Sequence, residues 1–386
     1  MNFNKKTILV CGGAGFIGSN FIRYIFSKYP TVKIINFDKL TYSGNLDNNK
    51  DISKNPTLDY RFVKGDIVNK KAVDAVFKKH KPDYVINFAA ETHVDRSIHG
   101  ASLEFIKTNI EGVFNIAEAV KANVSVIKYV QVSTDEVHGS LPLDSKERFH
   151  EYTLFAPNVP YAATKAGGDL LCRSYFSTWK VPIVVTHCSN NYGPYQYPEK
   201  IIPFFVLRML EDKKLPLYGD GRHVRDWVYV LDHCHALELC LLKGTPGGVY
   251  HIGADNELDN TDIAKRILKY FNRDESWIEY VGDRPGHDRR YSIDSTKITS
   301  ELGWRPMYSF EKAFAKTLQW YIDNPKWIDR IRKKTGVFNP HIDLWRAYKL
   351  NNKVPAHTET LHSGGGRLKK HPSSLTPRSQ GRRIRS

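Results

Sequence analysis

The sequence GGAGFIG (12–18) directly follows the apolar run TILVC (7–11) and opens a helical pattern over 15–28. Glycines at such a turn let the backbone approach a pyrophosphate, and the free amides of the helix start favour its negative charge. Asp38 follows the next apolar run and can accept hydrogen bonds from both ribose hydroxyls. Its charge repels a 2′-phosphate, so the unit predicts a dinucleotide site that prefers NAD to NADP, although Lys39 weakens that preference slightly.

Apolar runs and helical patterns alternate through the first half of the chain. After the glycine-rich turn the runs are VKIINF (32–37), YRFV (60–63), DYVINFAA (83–90), VIKYVQVS (126–133) and VPIVVTHC (181–188), with helical patterns at 69–79, 102–122 and 161–178. Near-continuous apolar strands between helices indicate a parallel sheet covered on both faces. Beyond about residue 190 the runs are shorter and mixed with helices. We therefore predict an α/β fold, a Rossmann-type doubly wound parallel sheet with a smaller mixed α/β C-terminal substrate lobe.

These patterns divide the chain into three parts. Residues 1–190 are expected to form the NAD-binding Rossmann domain, with its sheet partly completed by later segments. Residues 191–340 are expected to form an interleaved substrate-binding lobe. Residues 351–386 have no helical or strand periodicity and few large apolar side chains. Such a segment cannot bury enough surface to offset its ordering entropy, which predicts a disordered basic tail. We interpret it as an added or read-through extension, and an RNA- or membrane-binding tail is the alternative.

The charge of the chain is unevenly distributed. Residues 351–386 hold eight lysines and arginines against a single acidic residue, Glu359, so +7 of the formal net charge of +16 lies there. A nucleic-acid-binding protein would interleave aromatic side chains with a basic face, and the tail lacks them. We expect no nucleic-acid partner, and anionic small-molecule substrates explain some of the remaining arginines equally well.

The composition excludes several classes of protein. The 386 residues include 41% hydrophobic and 25% charged side chains, near the globular average. Five cysteines are scattered without a CxxC spacing, which indicates reduced, buried thiols and neither a disulfide framework nor a metal site. No apolar run is long enough to span a membrane, and the N-terminus has no signal-peptide pattern. We expect a soluble cytoplasmic protein without a membrane or metal partner.

Tyr161 and Lys165 lie four residues apart in the helical pattern 161–178. Residues with this spacing share one helix face, so the lysine ammonium is expected beside the phenol. A nearby positive charge favours phenolate and lowers the tyrosine pKa, which would make Tyr161 a usable base. The YxxxK pattern is common by itself. Behind a dinucleotide-type βαβ unit it becomes specific.

An acidic pair follows the strand pattern 126–133. Thr134, Asp135 and Glu136 come where that strand ends, and the carboxyl ends of parallel strands form the ligand crevice of such sheets. Thr134 can hydrogen-bond a sugar hydroxyl near Tyr161. Two adjacent carboxyl groups can be held in opposite protonation states by their surroundings, one as acid and one as base. A solvated acidic turn is the alternative interpretation.

Two helical patterns carry wide apolar stripes. The pattern 102–122 and the pattern 161–178 each have more apolar positions than one sheet face requires. Burial within one chain and a helix-to-helix dimer surface explain this equally well. We predict a homodimer through these helices, with Phe105 and Leu171 as outward apolar positions.

Together the glycine-rich turn and the YxxxK pattern resemble the extended short-chain dehydrogenase/reductase superfamily. Five longer motifs narrow the resemblance to the dTDP-glucose 4,6-dehydratase family over residues 5 to about 330: FAAETHVDRS (88–97), STDEVHG (133–139), CSNNYGPYQYPEK (188–200), GDGRHVRDWVYV (219–230) and DRPGHDRRY (283–291). One departure stands out. The family usually has tyrosine where this chain has His138, and we expect this side chain to shape the wall of the site.

The resemblance implies a set of ligand contacts. Expected to contact NAD, besides Gly12, Gly15 and Gly18, are Phe16, Ile17, Asp38, Lys39, Leu40, Thr41, Asp66, Ile67, Ala89, Ala90, Thr108, Tyr161, Lys165 and Asn190. Expected to line a nucleotide-sugar site are Thr92, Thr134, Asn190, Lys200, Ile201, Pro216, Tyr218, Arg225, Asn260, Asp283, Arg284 and His287. The guanidinium groups of Arg225 and Arg284 suit a diphosphate, and Lys200 offers a point charge. A lone histidine such as His287 has the weaker claim.

The resemblance also implies a reaction. A lyase of this family oxidises dTDP-glucose at C4 with NAD and Tyr161 as base. Glu136 then removes the C5 proton, Asp135 protonates the departing C6 hydroxyl, and hydride returns to C6, which gives dTDP-4-keto-6-deoxy-glucose for deoxysugar (rhamnose-type) biosynthesis. A 4,6-dehydratase of a UDP- or CDP-linked sugar remains open, as does a UDP-sugar 4-epimerase or decarboxylase, although these last two would not need both acids. A catalytically inactive NAD-binding sensor or scaffold would be expected to have lost Tyr161, Lys165 or the acids.

Overall fold

The computed structural model describes residues 2–100, 102–336, 338–339 and 342. Its strands are β1 (Thr7–Cys11), β2 (Lys33–Asp38), β3 (Asp59–Lys64), β4 (Tyr84–Asn87), β5 (Lys128–Thr134), β6 (Ile183–Cys188), β7 (Asn190–Tyr192), β8 (Leu215–Tyr218), β9 (Val224–Tyr229), β10 (Val249–Ile252), β11 (Glu257–Asp259) and β12 (Ile278–Val281). The predicted tail, 351–386, lies outside the described residues.

The helices alternate with these strands along the chain. They are α1 (Phe16–Lys28), α2 (Lys50–Ser53), α3 (Lys70–His80), α4 (Val94–Ile98), α5 (Ser102–Ile106), α6 (Gly112–Ala122), α7 (Pro160–Trp179), α8 (Ile201–Leu210), α9 (Val230–Lys243), α10 (Asn260–Tyr270), α11 (Thr296–Leu302), α12 (Phe310–Asp323) and α13 (Pro325–Thr335). A π-helical turn, Lys107–Glu111, joins α5 to α6, and a 3₁₀ turn, Asp135–His138, follows β5.

Seven parallel strands form the central sheet, in the order β10-β6-β5-β4-β1-β2-β3. Helices α1 and α9 cover one face with side chains such as Ile22 and Leu237. Helices α3, α6 and α7 cover the other face with side chains such as Phe77 and Ile116. Each buried side chain of this size contributes about 1.5–3 kcal/mol through removal from water. The predicted doubly wound Rossmann-type sheet is confirmed, and β10 completes it from the second half of the chain.

The remaining strands build a smaller mixed lobe. Strand β9 pairs in parallel with β7 and antiparallel with β11, and β8 pairs in parallel with β12. Strands of three or four residues such as β7 and β11 carry too little pattern to be predicted, and they form because β9 offers them paired partners. None of the helices in the described part of the chain is long and apolar enough to cross a membrane.

Local sequence explains how α7 is placed. Pro160 occupies its first turn, where a missing amide hydrogen costs nothing. Its buried side chains include Tyr161, Lys165 and Asp169, all one or two turns apart, so one face of α7 lies against the ends of β5 and β6. The five cysteines are all free thiols and buried, as predicted.

Candidate active site

Two cavities adjoin at the carboxyl ends of the parallel strands. The sheet-edge cavity lies over the glycine-rich turn and the ends of β1, β4, β5 and β6, in two adjoining parts that share Gly12 and Ala90. The lobe cavity lies between this region and the segments that contain β8 and α8. Glu136, Asn190 and Lys200 line both cavities. This edge is where open α/β sheets bind their ligands.

The glycine-rich turn is packed so tightly that side chains are excluded. Gly12 has φ +78°, and a Cβ there would lie 2.5 Å from the backbone nitrogen of Ala89. A Cβ at Gly18 would lie 2.4 Å from the carbonyl oxygen of Gly12. The turn therefore brings bare backbone and the start of α1 to the cavity, which is the arrangement that receives a pyrophosphate.

Asp38 ends β2 beside this turn. Its Oδ2 accepts a hydrogen bond from the Ala14 amide at 2.9 Å, and its Oδ1 accepts one from the Leu40 amide at 2.7 Å. The predicted cofactor contact Leu40 is not among the lining residues, and its backbone instead orients the Asp38 carboxylate. The ammonium of Lys39 pairs with Asp66 at 2.7 Å, so its positive charge is balanced by a carboxylate and attracts a 2′-phosphate less.

The other predicted cofactor residues line the sheet-edge cavity. These are Gly12, Gly15, Phe16, Ile17, Gly18, Asp38, Lys39, Thr41, Asp66, Ile67, Ala89, Ala90, Thr108, Tyr161, Lys165 and Asn190. Lys334 of α13 was not predicted, yet its Nζ donates to the carbonyl oxygens of Thr41 and Gly44 and its charge acts on Asp38. It comes from the far end of the sequence and carries no motif, so only tertiary structure reveals it.

Tyr161 and Lys165 both line the sheet-edge cavity from α7. The Nζ of Lys165 donates to the carbonyl oxygen of Val132 at 2.8 Å, and burial lowers the pKa of this lysine. Burial and the charge of Glu136 raise the pKa of Tyr161 well above its usual value, whereas its hydrogen bond with Thr134 lowers it. The predicted lowering of the tyrosine pKa is therefore wrong for the protein alone, because burial and the charge of Glu136 outweigh the influences that favour phenolate.

The two carboxyl groups of the acidic pair are both buried but meet different charges. Burial, and then the charge of Glu136, raise the pKa of Asp135 to about 8, so this carboxyl group is protonated at neutral pH. Its Oδ2 is buried without a hydrogen-bond partner of ordinary length among the described residues. Burial also raises the pKa of Glu136, but the charges of Lys200 and Arg225 oppose this shift and favour the carboxylate. The arrangement supplies one acid and one base side by side.

The lobe cavity carries the predicted basic residues. Lys200 donates to the carbonyl oxygen of Thr92 at 3.1 Å. Arg225 is buried over the ring of Tyr291, with 4.1 Å from its guanidinium carbon to the ring centre, and Arg284 lies 3.5 Å from Asp95. Positive groups held this rigidly suit a diphosphate. The predicted substrate residues that line the lobe cavity are Asn190, Lys200, Ile201, Pro216, Tyr218, Arg225, Asn260, Arg284 and His287, and Thr92 and Thr134 line the sheet-edge cavity.

Asp283 is the exception among the predicted substrate residues, because it does not line the lobe cavity. Its carboxylate accepts from His287 at 2.7 Å and contacts His223 at 3.2 Å, and the two imidazole rings stack with centres 3.6 Å apart. Burial disfavours its charge, yet these hydrogen bonds outweigh burial and hold the pKa of Asp283 below its usual range. Asp283 therefore positions His287.

Sequence reasoning missed two residues that position the site. Asn109, in the π-helical turn, accepts from the Glu91 amide at 3.0 Å and donates to the Glu91 carbonyl at 3.1 Å and to Thr164 at 3.0 Å. It thus ties the loop after β4 to α7. The buried Glu199 lines both cavities, accepts from Tyr42, and has its pKa raised to about 7 by burial. A π-helical turn inside an apolar helical pattern has no sequence signature, although such turns are frequent at functional sites.

His138 does not line either cavity, so the expectation that it shapes the site wall is wrong. The 3₁₀ turn carries its ring away from Glu136 and into the protein, where it is 4% exposed.

Comparison with known proteins agrees with this geometry. The profile of the GDP-mannose 4,6-dehydratase family matches residues 9–317. A dTDP-glucose 4,6-dehydratase of Xanthomonas campestris is 44% identical over 342 residues, which cover 84% of this chain and 95% of that protein. The crystal structure of dTDP-glucose 4,6-dehydratase from Bacillus anthracis in complex with NAD is 48% identical, with a TM-score of 0.78 over 84% of this chain and 99% of that one. The Streptomyces venezuelae enzyme with NAD and a dTDP ligand is 43% identical, with a TM-score of 0.80 and the same coverage.

Proposed function

The chain belongs to the GDP-mannose 4,6-dehydratase family, and we infer that it is an NAD-dependent hydro-lyase that converts dTDP-glucose into dTDP-4-keto-6-deoxy-glucose for deoxysugar biosynthesis. The acidic pair carries this inference. Asp135 and Glu136 line the sheet-edge cavity beside Tyr161, and Glu136 also faces the basic lobe cavity. Removal of water across two carbons needs one acid and one base, which is what this pair provides.

The chain's own residues fit NAD. The side-chain-free backbone at Gly12 and Gly18 would receive the pyrophosphate, and Asp38 would accept from the ribose hydroxyls. NAD bound there supplies the redox chemistry, by taking up hydrogen from C4 with its electron pair and giving it back at C6. Everything else in the reaction is placement and proton transfer by side chains.

Tyr161 takes the proton of the C4 hydroxyl. Tyr161 must be ionised to take this proton. Burial and the charge of Glu136 oppose ionisation in the protein alone, whereas the hydrogen bond with Thr134 favours it. Lys165, fixed on the Val132 carbonyl, places a positive charge in the same cavity. Oxidation at C4 makes the C5 hydrogen acidic.

Glu136 removes the C5 proton, and Asp135 gives its proton to the departing C6 hydroxyl, which leaves as water. When hydrogen with its electron pair returns to C6, Glu136 gives the proton back to C5, which completes the 4-keto-6-deoxy product. The roles follow from the surroundings of each group. Lys200, Arg225 and Arg284 favour the ionised form of Glu136. Burial opposes the charge of both groups, but Asp135 also meets the negative charge of Glu136, and the two effects together keep it protonated.

A dependence on pH follows from these assignments. Because the pKa of Asp135 is raised to about 8, the acid is present below that pH and is lost as pH rises through it. The profile of kcat/KM against pH is therefore expected to fall above about pH 8. In Asp135→Asn the rate should be lower by roughly 10²–10⁴-fold and this alkaline limb should disappear. An unchanged limb in Asp135→Asn would assign it to another group.

The substrate is tested directly by a panel of sugar nucleotides. We expect dTDP-glucose, incubated with the enzyme and NAD, to give a product lighter by one water, which mass spectrometry detects. UDP-glucose and CDP-glucose are the comparison substrates, and both should react more slowly by kcat/KM. A faster reaction with either would assign the enzyme to that nucleotide, while no loss of water from any of them would contradict the dehydratase assignment.

Preference for NAD over NADP is expected from Asp38. Asp38→Asn removes the charge that repels a 2′-phosphate but keeps an oxygen that can accept from the Ala14 or Leu40 amide. The ratio of the two dissociation constants should shift toward NADP by roughly tenfold, which corresponds to about 1.4 kcal/mol. Titration of the purified protein with each cofactor measures it. Tight NADP binding by the unaltered enzyme would overturn the role given to Asp38.

We propose that the enzyme is a homodimer. Leu103, Ile106, Phe114 and Leu170 leave 62%, 47%, 40% and 54% of their surface exposed on the packed helices α5, α6 and α7. Exposed large apolar side chains on neighbouring helices are typical of subunit interfaces. Phe105, predicted to face outward, is instead fully buried against Tyr161, with ring centres 6.3 Å apart.

The double variant Leu103→Glu/Leu170→Glu is expected to sediment as a monomer at micromolar concentration, because four buried charges would meet at the proposed interface. Met307→Glu is the matched control, since Met307 is 57% exposed and lies in the other lobe. It should stay dimeric. A monomeric unaltered protein would refute the homodimer. The cytoplasmic location and the domain boundary at residues 190 and 191 stay predictions.

A further inference from the structure

Three buried histidines, which we call the histidine cluster, meet behind the active site. His187 of β6 and His251 of β10 are register partners in the parallel pair, so their side chains project from the same face of the sheet. His138 ends the 3₁₀ turn after β5. Because β5, β6 and β10 are consecutive strands, the cluster joins three neighbouring strand ends.

One ring nitrogen of each histidine faces the same point. His138 Nε2 lies 3.1 Å from His187 Nδ1 and 3.2 Å from His251 Nε2, and the last two atoms are 3.0 Å apart. An ion placed about 1 Å out of the plane of these atoms would lie about 2.0–2.1 Å from all three, which is the usual Zn–N distance. The triangle therefore has the dimensions of a three-histidine metal site.

The contacts of the outward ring nitrogens determine the tautomer of each histidine. His187 Nε2 faces Asp169 Oδ2 at 3.2 Å, His251 Nδ1 faces the Phe149 carbonyl oxygen at 3.1 Å, and His138 Nδ1 faces the Leu154 carbonyl oxygen at 3.4 Å. Carbonyl oxygens and carboxylates only accept hydrogen bonds, so the outward nitrogens carry the hydrogens. A neutral imidazole then has its lone pair on the other nitrogen, the one that faces inward.

Three lone pairs at about 3 Å repel one another unless a positive charge lies between them. Without a cation, one ring must turn its hydrogen inward and give up the bond to its outer acceptor. The outer partners are also those that metal-ligating histidines use, since such rings commonly donate to a carboxylate or a backbone carbonyl. The pair of His187 with Asp169 is of this type.

The histidine cluster is buried in the protein. The rings of His138, His187 and His251 are 4%, 2% and 0% exposed, and the ring of Phe149 packs on His138 at 5.2 Å between centres. Packing of this kind holds the rings in place, and with them the triangle of ring nitrogens.

We propose that His138, His187 and His251 bind a transition-metal ion of the kind that prefers imidazole nitrogen, with Zn²⁺ as the representative, and that the ion fastens together the ends of β5, β6 and β10. Imidazole suits zinc, copper and nickel, whereas magnesium and calcium prefer oxygen ligands. Zinc usually takes four ligands, so a water molecule would complete the three nitrogens. The cluster does not line the cavities, which assigns the ion a structural role.

A second group of possible ligands, His223, Asp283 and His287, differs in its neighbours. Guanidinium nitrogens of Arg289 and Arg284 lie 3.2 Å from the ring nitrogens of His223 and His287. Positive charges at that distance oppose a cation. One member of this group, His287, also lines the lobe cavity already described.

Hydrogen bonds connect the histidine cluster to the end of β5, the strand that precedes Asp135 and Glu136. Asp169 Oδ2 accepts from Ser133 Oγ at 2.6 Å as well as from His187. Ser133 precedes Thr134, so an ion that fixes His187 also fixes the end of β5. Because none of the three ligands lines the cavities, we expect metal binding to change thermal stability more than catalytic activity.

The test compares the full-length protein with His138→Tyr. The family usually has tyrosine at this position, so this variant is expected to fold while lacking one ligand. Unaltered protein, stripped with a chelator and titrated with Zn²⁺, should bind one ion per chain that His138→Tyr does not bind. Saturating zinc should raise the unfolding midpoint of the unaltered protein by about 5 °C and leave that of the variant unchanged.

A second ligand variant with its control, and a cobalt spectrum, test the same site independently. His251→Gln removes a different ligand and should also abolish the ion, whereas His150→Gln, at an exposed position outside the cluster, should retain it. Cobalt(II) bound in place of zinc should give the visible absorption of a nitrogen-ligated site in the unaltered protein alone. Equal zinc content and equal thermal shifts in the unaltered protein, His138→Tyr and His251→Gln would overturn the proposal.

Discussion

Replacing Glu136 with glutamine is expected to stop the enzyme after the first half of its reaction. Glutamine keeps the size and hydrogen bonding of the side chain but cannot accept the C5 proton, so turnover should fall by roughly 10²–10⁴-fold. Tyr161, Lys165 and the cofactor residues are untouched, and oxidation at C4 should proceed. The enzyme mixed with dTDP-glucose should therefore accumulate reduced nicotinamide, which stopped-flow absorbance follows, while mass spectrometry detects little dehydrated product.

Glu147→Gln is the matched control for this experiment. Glu147 is exposed, and the hydrogen bonds described for it, with Ser145 and Arg290, involve its backbone and not its carboxylate. That variant should turn over like the unaltered enzyme. Normal dehydration by Glu136→Gln would remove Glu136 from the role of base.

Replacing Tyr161 with phenylalanine is expected to block the reaction one step earlier. The variant keeps the buried ring and its packing on Phe105 but loses the group that takes the C4 hydroxyl proton. Both the reduced-nicotinamide signal and the product should fall, by roughly 10²–10⁴-fold. Glu136→Gln and Tyr161→Phe are thus distinguished by whether the reduced cofactor appears.

Tyr175→Phe is the control on the same helix. The hydroxyl of Tyr175 bonds Glu118 at 2.5 Å, away from both cavities, so its loss should leave the reaction unchanged. A strong reduced-nicotinamide signal from Tyr161→Phe would mean that another group accepts the C4 proton.

The parts of this structure that depend on local sequence could be predicted. The glycine-rich turn, β1, α1 and Asp38 occupy one continuous stretch, in which steric demands and hydrophobic periodicity act between near neighbours. The acidic pair was predictable for the same reason, since Asp135 and Glu136 follow a buried strand directly.

Features that depend on distant segments could not be predicted. His187 and His251 become neighbours only because β10 joins the sheet beside β6, and no local pattern gives that register. The Lys165 ammonium goes to the Val132 carbonyl because the end of β5 lies beside α7. The pKa of Tyr161 then follows from burial more than from its neighbour four residues away, and tertiary context outweighs the helical spacing.

The most direct test of the proposed dehydration uses dTDP-glucose carrying deuterium at C4. If oxidation at C4, loss of water and return of hydrogen to C6 take place in one active site, the product will be lighter by one water and will carry the deuterium at C6. Mass spectrometry and NMR of that single product read both properties. A product with the full mass of the substrate and deuterium still at C4 would show epimerisation and would contradict the assignment of Asp135 and Glu136 to dehydration.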